Sequence, residues 1–309
     1  MLPNFFGKSF ENPSIRPAGP ADEWRRRIDI RDRFGLNLLI IGDVVGRSGR
    51  DLVERFLPRL RSRYGIDACV LNGENAAAGF GITGKIAHEL HKVGADVITT
   101  GNHVWDQRDL VGEIGSIGYL LRPLNQPKGQ PGKGWAEIPL PTGQDLLVVN
   151  LMGRVFMPPC DDPFAAIDQL LAQRRDDAIV VVDFHAEASS EKVAMARHLD
   201  GRAAVVFGTH THVPTCDDEI QPGGTLRLTD VGMTGPYESI IGMQVEGPLA
   251  KFRDGMPVRF KVAEEGGQLH GVVVRLDDGS GMPVNFRRIR LDESGRLTEL
   301  HWTTVETLK

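Results

Sequence analysis

The stretch LNLLIIGDVVGRSGRDLVERFLPRLRSRYGIDACVLNGEN, residues 36–75, decides the fold class. Leu36 to Ile41 form a nearly continuous apolar run closed by Gly42 and Asp43, the pattern of a strand buried on both faces. In DLVERFLPRLRSRYG the apolar Leu52, Val53, Phe56, Leu57 and Leu60 recur at three- and four-residue spacing among arginines, which predicts an amphipathic helix. ACVLN then returns to an apolar run. Strand, helix and strand in succession predict a crossover between parallel strands, hence an α/β fold.

Outward from this unit the alternation continues. ITGKIAHELHKVG reads as helix, ADVITT as strand, LLVVN at 146–150 as a further strand, PFAAIDQLLAQRR as helix, AIVVVDF as strand, SSEKVAMARHLDG as helix and AAVVFG as strand. From residue 255 the text changes to VRFKVAE, QLHGVVVRLDD and FRRIRLDESGRLTELHW, short alternating runs separated by turn residues. These are expected to be antiparallel strands that complete a sheet edge, without forming a domain of their own. No repeat of 20 to 50 residues is visible.

The 309 residues are 41% hydrophobic and 25% charged with a net charge of -5, a globular profile that excludes disorder as the main state. The acidic balance gives no electrostatic footprint for duplex nucleic acid. No window reaches the roughly 18 apolar residues of a membrane helix, and the N-terminus lacks a secretory apolar core, so a cytoplasmic chain is expected. Cys69, Cys160 and Cys216 are odd in number and widely spaced, which suggests neither a disulfide framework nor a thiolate zinc site. Residues 1–35 are rich in Pro and Arg and lack sustained periodicity. They read as an N-terminal extension, docked on the surface or frayed, ahead of a domain spanning 36–309. Glu11, Asp22, Glu23, Asp29 and Asp32 argue against a transit peptide, which is poor in acids.

The functional signal lies just beyond the strand ends. Asp43 follows LLIIG, Glu74 and Asn75 follow ACVLNG, Asn102 and His103 follow VITTG, His185 follows VVVDF, and His210 and His212 follow VVFG. Ligands of open α/β sheets bind beyond the carboxyl ends of strands, so these residues are expected to converge. Taken singly, each has a structural reading: Asp43 as a helix cap, Asn75 as a turn former, a histidine as a satisfied core group. Five strand ends delivering oxygen and imidazole donors to one edge outweigh those readings. Two carboxylates, two carboxamides and three imidazoles without a thiolate suit Mn, Fe or Zn, and are too many for one tetrahedral ion. Two ions sharing a carboxylate would use them all. Such a pair, about 3.5 to 4 Å apart, clamps a phosphate in phosphatases and nucleases. Glycines at 42, 73, 101 and 208 stand beside these positions, where the backbone must turn or approach closely.

The motifs IGDVVGRSGR, NGENAAAGFGIT, GNHVWD, RPLNQP, DFHAEASSEK, GTHTHVPT and TDVGMTGPYESIIGM resemble the YmdB-like branch of the calcineurin-like metallophosphoesterases, bacterial dinuclear phosphodiesterases. The resemblance spans roughly residues 37–280 and implies a four-layer α/β/β/α sandwich with two central mixed sheets. It implies a hydrolase acting on 2',3'-cyclic or 3',5'-cyclic nucleotides through in-line attack of a metal-bridging hydroxide. It makes Asp43, Glu74, Asn75, Asn102, His185, His210 and His212 the metal ligands, with Glu74 bridging, and His103 the proton donor. The wider superfamily has Asp-x-His after its first strand, where this chain has Asp43-Val44-Val45, and an Asp where this chain has Glu74 followed by Asn75. Asn75 is inferred to take the vacant place. The superfamily's Glu after Asn-His is Val104 here, which leaves Trp105 and Asp106 to position the loop. Iron or manganese is the expected metal, with zinc as an alternative.

The remaining motifs are less specific. LRPLNQPKGQPGKG offers Arg122 or Asn125 to a phosphate, and MTGPYES offers the Tyr237 ring to a base, although ordinary turns explain both loops. GRSGR at 46–50 reads as a strand-to-helix crossing, and Cys216 as a buried inert thiol, with a redox-sensitive neighbour of the site as the alternative. A broad phosphomonoesterase or nuclease on the same metals, or a non-catalytic nucleotide sensor, are the alternative functions. The Asn102-His103 pair disfavours the sensor. The sequence is compatible with association of copies of the chain into a homo-oligomer.

Overall fold

The computed structural model describes residues 35–174 and 178–300; residues 1–34 of the expected extension and residues 301–309 lie outside these. The opening unit folds as read, with β1 (Leu36–Ile41), the short β2 (Asp43–Val44), α1 (Gly46–Tyr64) and β3 (Ala68–Asn72). Leu52, Val53, Phe56, Leu57 and Leu60 form the buried stripe of α1. Each such side chain contributes roughly 1.5 to 3 kcal/mol by leaving water. The helix stops at Gly65, whose φ of 57° lets its N–H turn back to Arg61 O. α2 (Gly84–Lys92) begins where Thr83 accepts the Ile86 N–H at 3.2 Å, and β4 (Val97–Thr99) and the short α3 (Leu110–Glu113) come next.

A second series runs through β5 (Trp135–Pro139), β6 (Asp145–Met152), α4 (Pro163–Leu171), β7 (Ile179–His185), α5 (Ser189–His198), β8 (Val205–Thr209), β9 (Glu219–Ile220) and β10 (Leu226–Leu228). The chain closes with β11 (Met233–Pro236), α6 (Glu246–Asp254), β12 (Gly267–Leu276), β13 (Pro283–Asp292) and β14 (Leu297–Leu300). One mixed sheet has the order β14-β13-β12-β1-β3-β4, with β11 and β2 beside it; the other has the order β5-β6-β7-β8-β10-β9. β1, β3 and β4 run parallel, as do β6, β7 and β8.

The continuous apolar runs are explained by burial on both strand faces. Leu38, Ile40, Val70 and Val97 of the first sheet share a core with Val148, Val181, Val205 and Phe207 of the second. Alternate residues of the first sheet, among them Leu39, Ile41, Leu71 and Ile98, pack with Phe56, Leu60 and Leu90 of the helices. On the far side of the second sheet, Leu147, Val149, Val182 and Phe184 pack with Ile167, Met195 and Leu199.

Two sequence expectations are corrected. VRFKVAE is not a strand: it makes one isolated bridge, Val262 with Met243. Its alternation reflects an irregular segment lying over the Gly46 and Gly79 turns, which Val262 touches. β12 to β14 do complete the first sheet's edge, but β12 pairs with β1 through Gly271–Leu276 on one side and with β13 on the other, and so lies inside the sheet. β5, β9, β10, β11 and α6 were not anticipated, because short or Gly/Pro-containing segments carry too little periodicity.

Candidate metal centre

The strand ends meet at the seam between the two sheets. β1 and β3 deliver Asp43, Glu74 and Asn75, the loop after β4 delivers Asn102 and His103, β7 ends on His185, and the turn after β8 carries His210 and His212. Asp43 is not a helix cap, since that position is Val45. Asp43, Glu74 and His185 are fully buried, and Asn75 and His212 nearly so.

The donors fall into two adjoining groups. In one, Glu74 Oε2 touches His185 Nε2, which lies 3.1 Å from His210 Nδ1 and 3.1 Å from Asn102 Oδ1. Ligand atoms of Glu74, His185 and His210 all lie within 4.8 Å of one another. In the other, His212 Nε2 lies 3.0 Å from the Asn75 carboxamide and 3.9 Å from Asp43 Oδ1. Asp43 joins the groups by accepting the His210 N–H at 3.2 Å, with His185 Nδ1 3.8 Å away.

The outer nitrogen of each imidazole has an acceptor. His185 Nδ1 lies 2.9 Å from Thr209 Oγ1, whose hydroxyl donates to Asp183 at 2.7 Å. His212 Nδ1 lies 2.9 Å from Ile241 O, and His210 Nε2 lies 3.1 Å from Glu187 Oε2. Hydrogen bonding on the outside fixes the tautomer that turns a lone pair inward, as in metal-ligating histidines. Glu74 Oε2 is buried without a hydrogen bond although it meets His185 Nε2. A carboxylate oxygen and inward imidazole nitrogens aimed at one point are the set a divalent cation satisfies.

Charge at this point obeys the same logic. Burial pushes Asp43 up to about 6 against the pull of His212 and His185. Burial also opposes ionisation of Glu74, but His185 and His103 outweigh it and hold the carboxyl down at about 2. Burial disfavours the charged imidazole of His185, yet Glu74 and Asp43 raise its pKa. His210 is lowered to about 3, first by burial and then by His185. Burial and the neighbouring His185 thus act together against a positive charge on His210.

The backbone is shaped to bring these atoms together. His210 and His212 adopt φ of 94° and 65°, left-handed values that cost non-glycine residues free energy and concentrate at functional sites. At Gly101 an added Cβ would lie 2.3 Å from His185 Nε2 and 2.5 Å from Glu74 Oε2, so only glycine admits the loop. His103 stands beside the centre, its N–H held by Glu74 Oε1 at 2.5 Å and its Nδ1 2.8 Å from Asp106 Oδ2. The Phe80 ring meets the His103 ring edge-on at 5.1 Å.

The residues offered for substrate lie elsewhere in the bonding scheme. Arg122 is buried and donates to the carbonyls of Pro123, Gln130 and Pro131. Asn125 is buried and ties Met152 to Asp161. Tyr237 donates to Met233 O and stacks on His270. These groups serve the loops that carry them. Glu187, Thr209, Asp183 and the Ile241 carbonyl were not anticipated; Asp183 and Glu187 flank His185 in DFHAE, the only signal that could have found them.

The family described as YmdB-like protein matches residues 39–289. The chain belongs to the YmdB-like family. It is 47% identical over 259 residues to a Bacillus subtilis protein named 2',3'-cyclic-nucleotide 2'-phosphodiesterase, covering 84% of this chain and 98% of that one. A crystal structure of a hypothetical protein from Thermus thermophilus superposes with a TM-score of 0.78 at 44% identity, covering 83% of this chain and 99% of that one. A crystal structure described as a novel phosphatase, from Mycoplasma pneumoniae, gives a TM-score of 0.79 at 34% identity, covering 84% of this chain and 94% of that one.

Proposed function

We propose that this YmdB-like chain is a metal-dependent phosphodiesterase that hydrolyses cyclic nucleotides, 2',3'-cyclic and 3',5'-cyclic phosphodiesters being the candidate substrates. The observation that carries this reading is the convergence of Glu74 Oε2, His185 Nε2 and His210 Nδ1 on one point, beside Asp43, Asn75 and His212. In the same reading the two sheets and their helices stack as four layers, α/β/β/α, with the site at one end of the central seam.

A phosphodiester is an anion, and Asp43 and Glu74 would repel it unless cations intervened. Two ions, iron or manganese, would be held by Asp43, Glu74, Asn75, Asn102, His185, His210 and His212, with Glu74 shared. Bound there, they supply an activated water and offset charge on the phosphoryl group. The protein's own part is to hold the donors rigidly, so that little reorganises as charge moves. His103 gives the proton to the departing sugar oxygen. Asp106 anchors its Nδ1 and leaves Nε2 to face the substrate, while the backbone bond to Glu74 fixes its place.

The relative named as a 2',3'-cyclic-nucleotide 2'-phosphodiesterase supports this substrate class. The test is a panel of 2',3'-cyclic and 3',5'-cyclic nucleotides, nucleoside monophosphates and short RNA, assayed with purified chain reloaded with Mn²⁺ or Fe²⁺. Cyclic diesters are expected to give the highest kcat/KM. A preference for monoesters would make the chain a phosphomonoesterase, and turnover of none would favour a sensor.

A further inference from the structure

Two residues within the motifs, Lys192 of DFHAEASSEK and Asp230 of TDVGMTGPYES, take no part in the ligand set. Lys192 Nζ lies 2.9 Å from Asp230 Oδ2, and the side chains are only 3% and 0% exposed. Withdrawing two charges from water is costly, and is tolerated when geometry and further hydrogen bonds compensate. Here they do. Asp230 Oδ2 also accepts the Thr211 hydroxyl at 2.7 Å and the Thr211 N–H at 3.2 Å, while Oδ1 accepts the Gly232 N–H at 2.8 Å.

Thr211 is the residue between His210 and His212, the two left-handed positions. A left-handed turn at two histidines persists only if its surroundings over-determine it. Asp230 binds the middle of that turn from below, by both its backbone and its side chain. Lys192 reaches it from α5 across Gly208, where an added Cβ would lie 2.8 Å from Lys192 Cδ and 1.8 Å from Thr229 O. The glycine before the turn therefore leaves room both for the lysine stem and for the backbone just after β10.

We propose that Lys192 and Asp230 form a positioning pair that holds the His210-Thr211-His212 turn in its metal-binding geometry. Asp230 fixes the turn by hydrogen bonds, and Lys192 fixes Asp230 and balances its charge beside Asp43. The pair acts through the two histidines and touches no substrate. This inference rests on the reading of the site as a metal centre.

The test measures Mn²⁺ binding to chelator-stripped protein by competition, alongside thermal unfolding of the stripped protein and kcat and KM. Binding by the parent chain is measured first. If the parent binds no Mn²⁺, the metal-centre reading falls and this inference with it. The neutral double variant Lys192→Met with Asp230→Asn leaves no unpaired buried charge and keeps the shape. It is expected to weaken Mn²⁺ binding ~10-fold or more, the usual scale for an outer partner of a ligand. Lys192→Arg in the otherwise unchanged chain, which keeps the charge and a hydrogen bond to Asp230, is expected to lose less affinity than the double variant. Thr211→Val, which leaves the ion pair intact, is expected to give a smaller weakening in the same direction. Binding within twofold of the parent in the folded double variant would overturn the pairing role while leaving the metal centre standing. If the double variant does not fold, Thr211→Val decides: unchanged Mn²⁺ affinity overturns the proposal, and weakened affinity with unchanged stripped-protein unfolding supports it.

Discussion

The first sheet and the second deliver different chemistry to the seam between them. From β1, β3 and β4 come oxygen donors: Asp43, Glu74, Asn75 and Asn102. From β7 and β8 come imidazoles: His185, His210 and His212. The oxygen side is held partly by backbone N–H groups, including that of His210, which reaches Asp43 across the seam. On the imidazole side each ring is fixed from outside by a hydroxyl, a carbonyl or a carboxylate. Neither sheet alone supplies all of the converging donors, and Glu74 of the first meets His185 and His210 of the second. A metal bound here is therefore a cross-link between sheets, and the predictions ask whether it behaves as one.

The largest effect is expected from the oxygen side. If Glu74 serves both ions, Glu74→Ala should release both and reduce hydrolysis to background, whereas Asn75→Ala should weaken mainly the ion at His212. Elemental analysis of each variant, purified without chelator, reads this directly. Near-equal metal content in the two variants would remove Glu74 from the shared position and break the symmetry of the comparison.

Next in size is the loss of a proton donor without loss of metal. His103→Ala should keep its metals yet lose roughly 100-fold or more in kcat/KM on cyclic nucleotides. Bis(p-nitrophenyl) phosphate has a leaving group that needs little protonation, so its hydrolysis should fall much less. Equal losses on the two substrates would make His103 a loop anchor, a role its contacts with Glu74 and Asp106 could also support.

How much of this could be read from the sequence differs between the two halves of each interaction. The inward groups were legible, because buried strands end abruptly in polar residues and the ends of parallel strands share one edge. β1, α1, β3, β7 and β8 carry apolar runs long enough to declare themselves. The outward groups were not legible. Glu187, Thr209 and the Ile241 carbonyl touch the imidazoles only because the chain folds back, and a backbone carbonyl has no sequence signature at all. Arg122 and Tyr237 differ again: a Pro/Gly loop shows in the sequence that it can carry a ligand contact, but not that the Arg122 guanidinium and the Tyr237 hydroxyl donate to backbone carbonyls. VRFKVAE failed for a third reason, since its alternation has no partner strand along its length.

A smaller effect tests the cross-link itself. A ligand that binds only the folded chain stabilises it by about 2.7 kcal/mol at one hundred times its dissociation constant. Adding Mn²⁺ to stripped protein should raise Tm accordingly, and the rise should shrink whether a ligand is removed from the first sheet, as in Asp43→Asn, or from the second, as in His185→Gln. A full Tm rise in either variant would place the metal within one sheet and end the idea of a seam held by ions.

The smallest effect concerns a histidine in the first sheet that faces no metal. His270 of β12 stands opposite Arg290 on β13 and stacks on Tyr237 with ring centroids 4.8 Å apart. Burial lowers its pKa to about 4, and Arg290 and Arg288 push it the same way. The unfolded chain takes up this proton near pH 6.5, whereas the folded chain resists it until about 4. Stability is therefore unaffected above 6.5, is lost as pH falls from 6.5 to 4, and changes no further below. The loss is on the order of 2 kcal/mol, allowing for partial contact with water. His270→Phe keeps a ring against Tyr237 and removes the titration. Urea unfolding of stripped parent and variant at pH 7.5 and 5 isolates the term, because the metal-site groups titrate alike in both proteins. The variant should lose less stability than the parent between those two pH values. An identical loss would move the acid sensitivity of the first sheet away from β12 and onto the carboxylates and imidazoles of the seam.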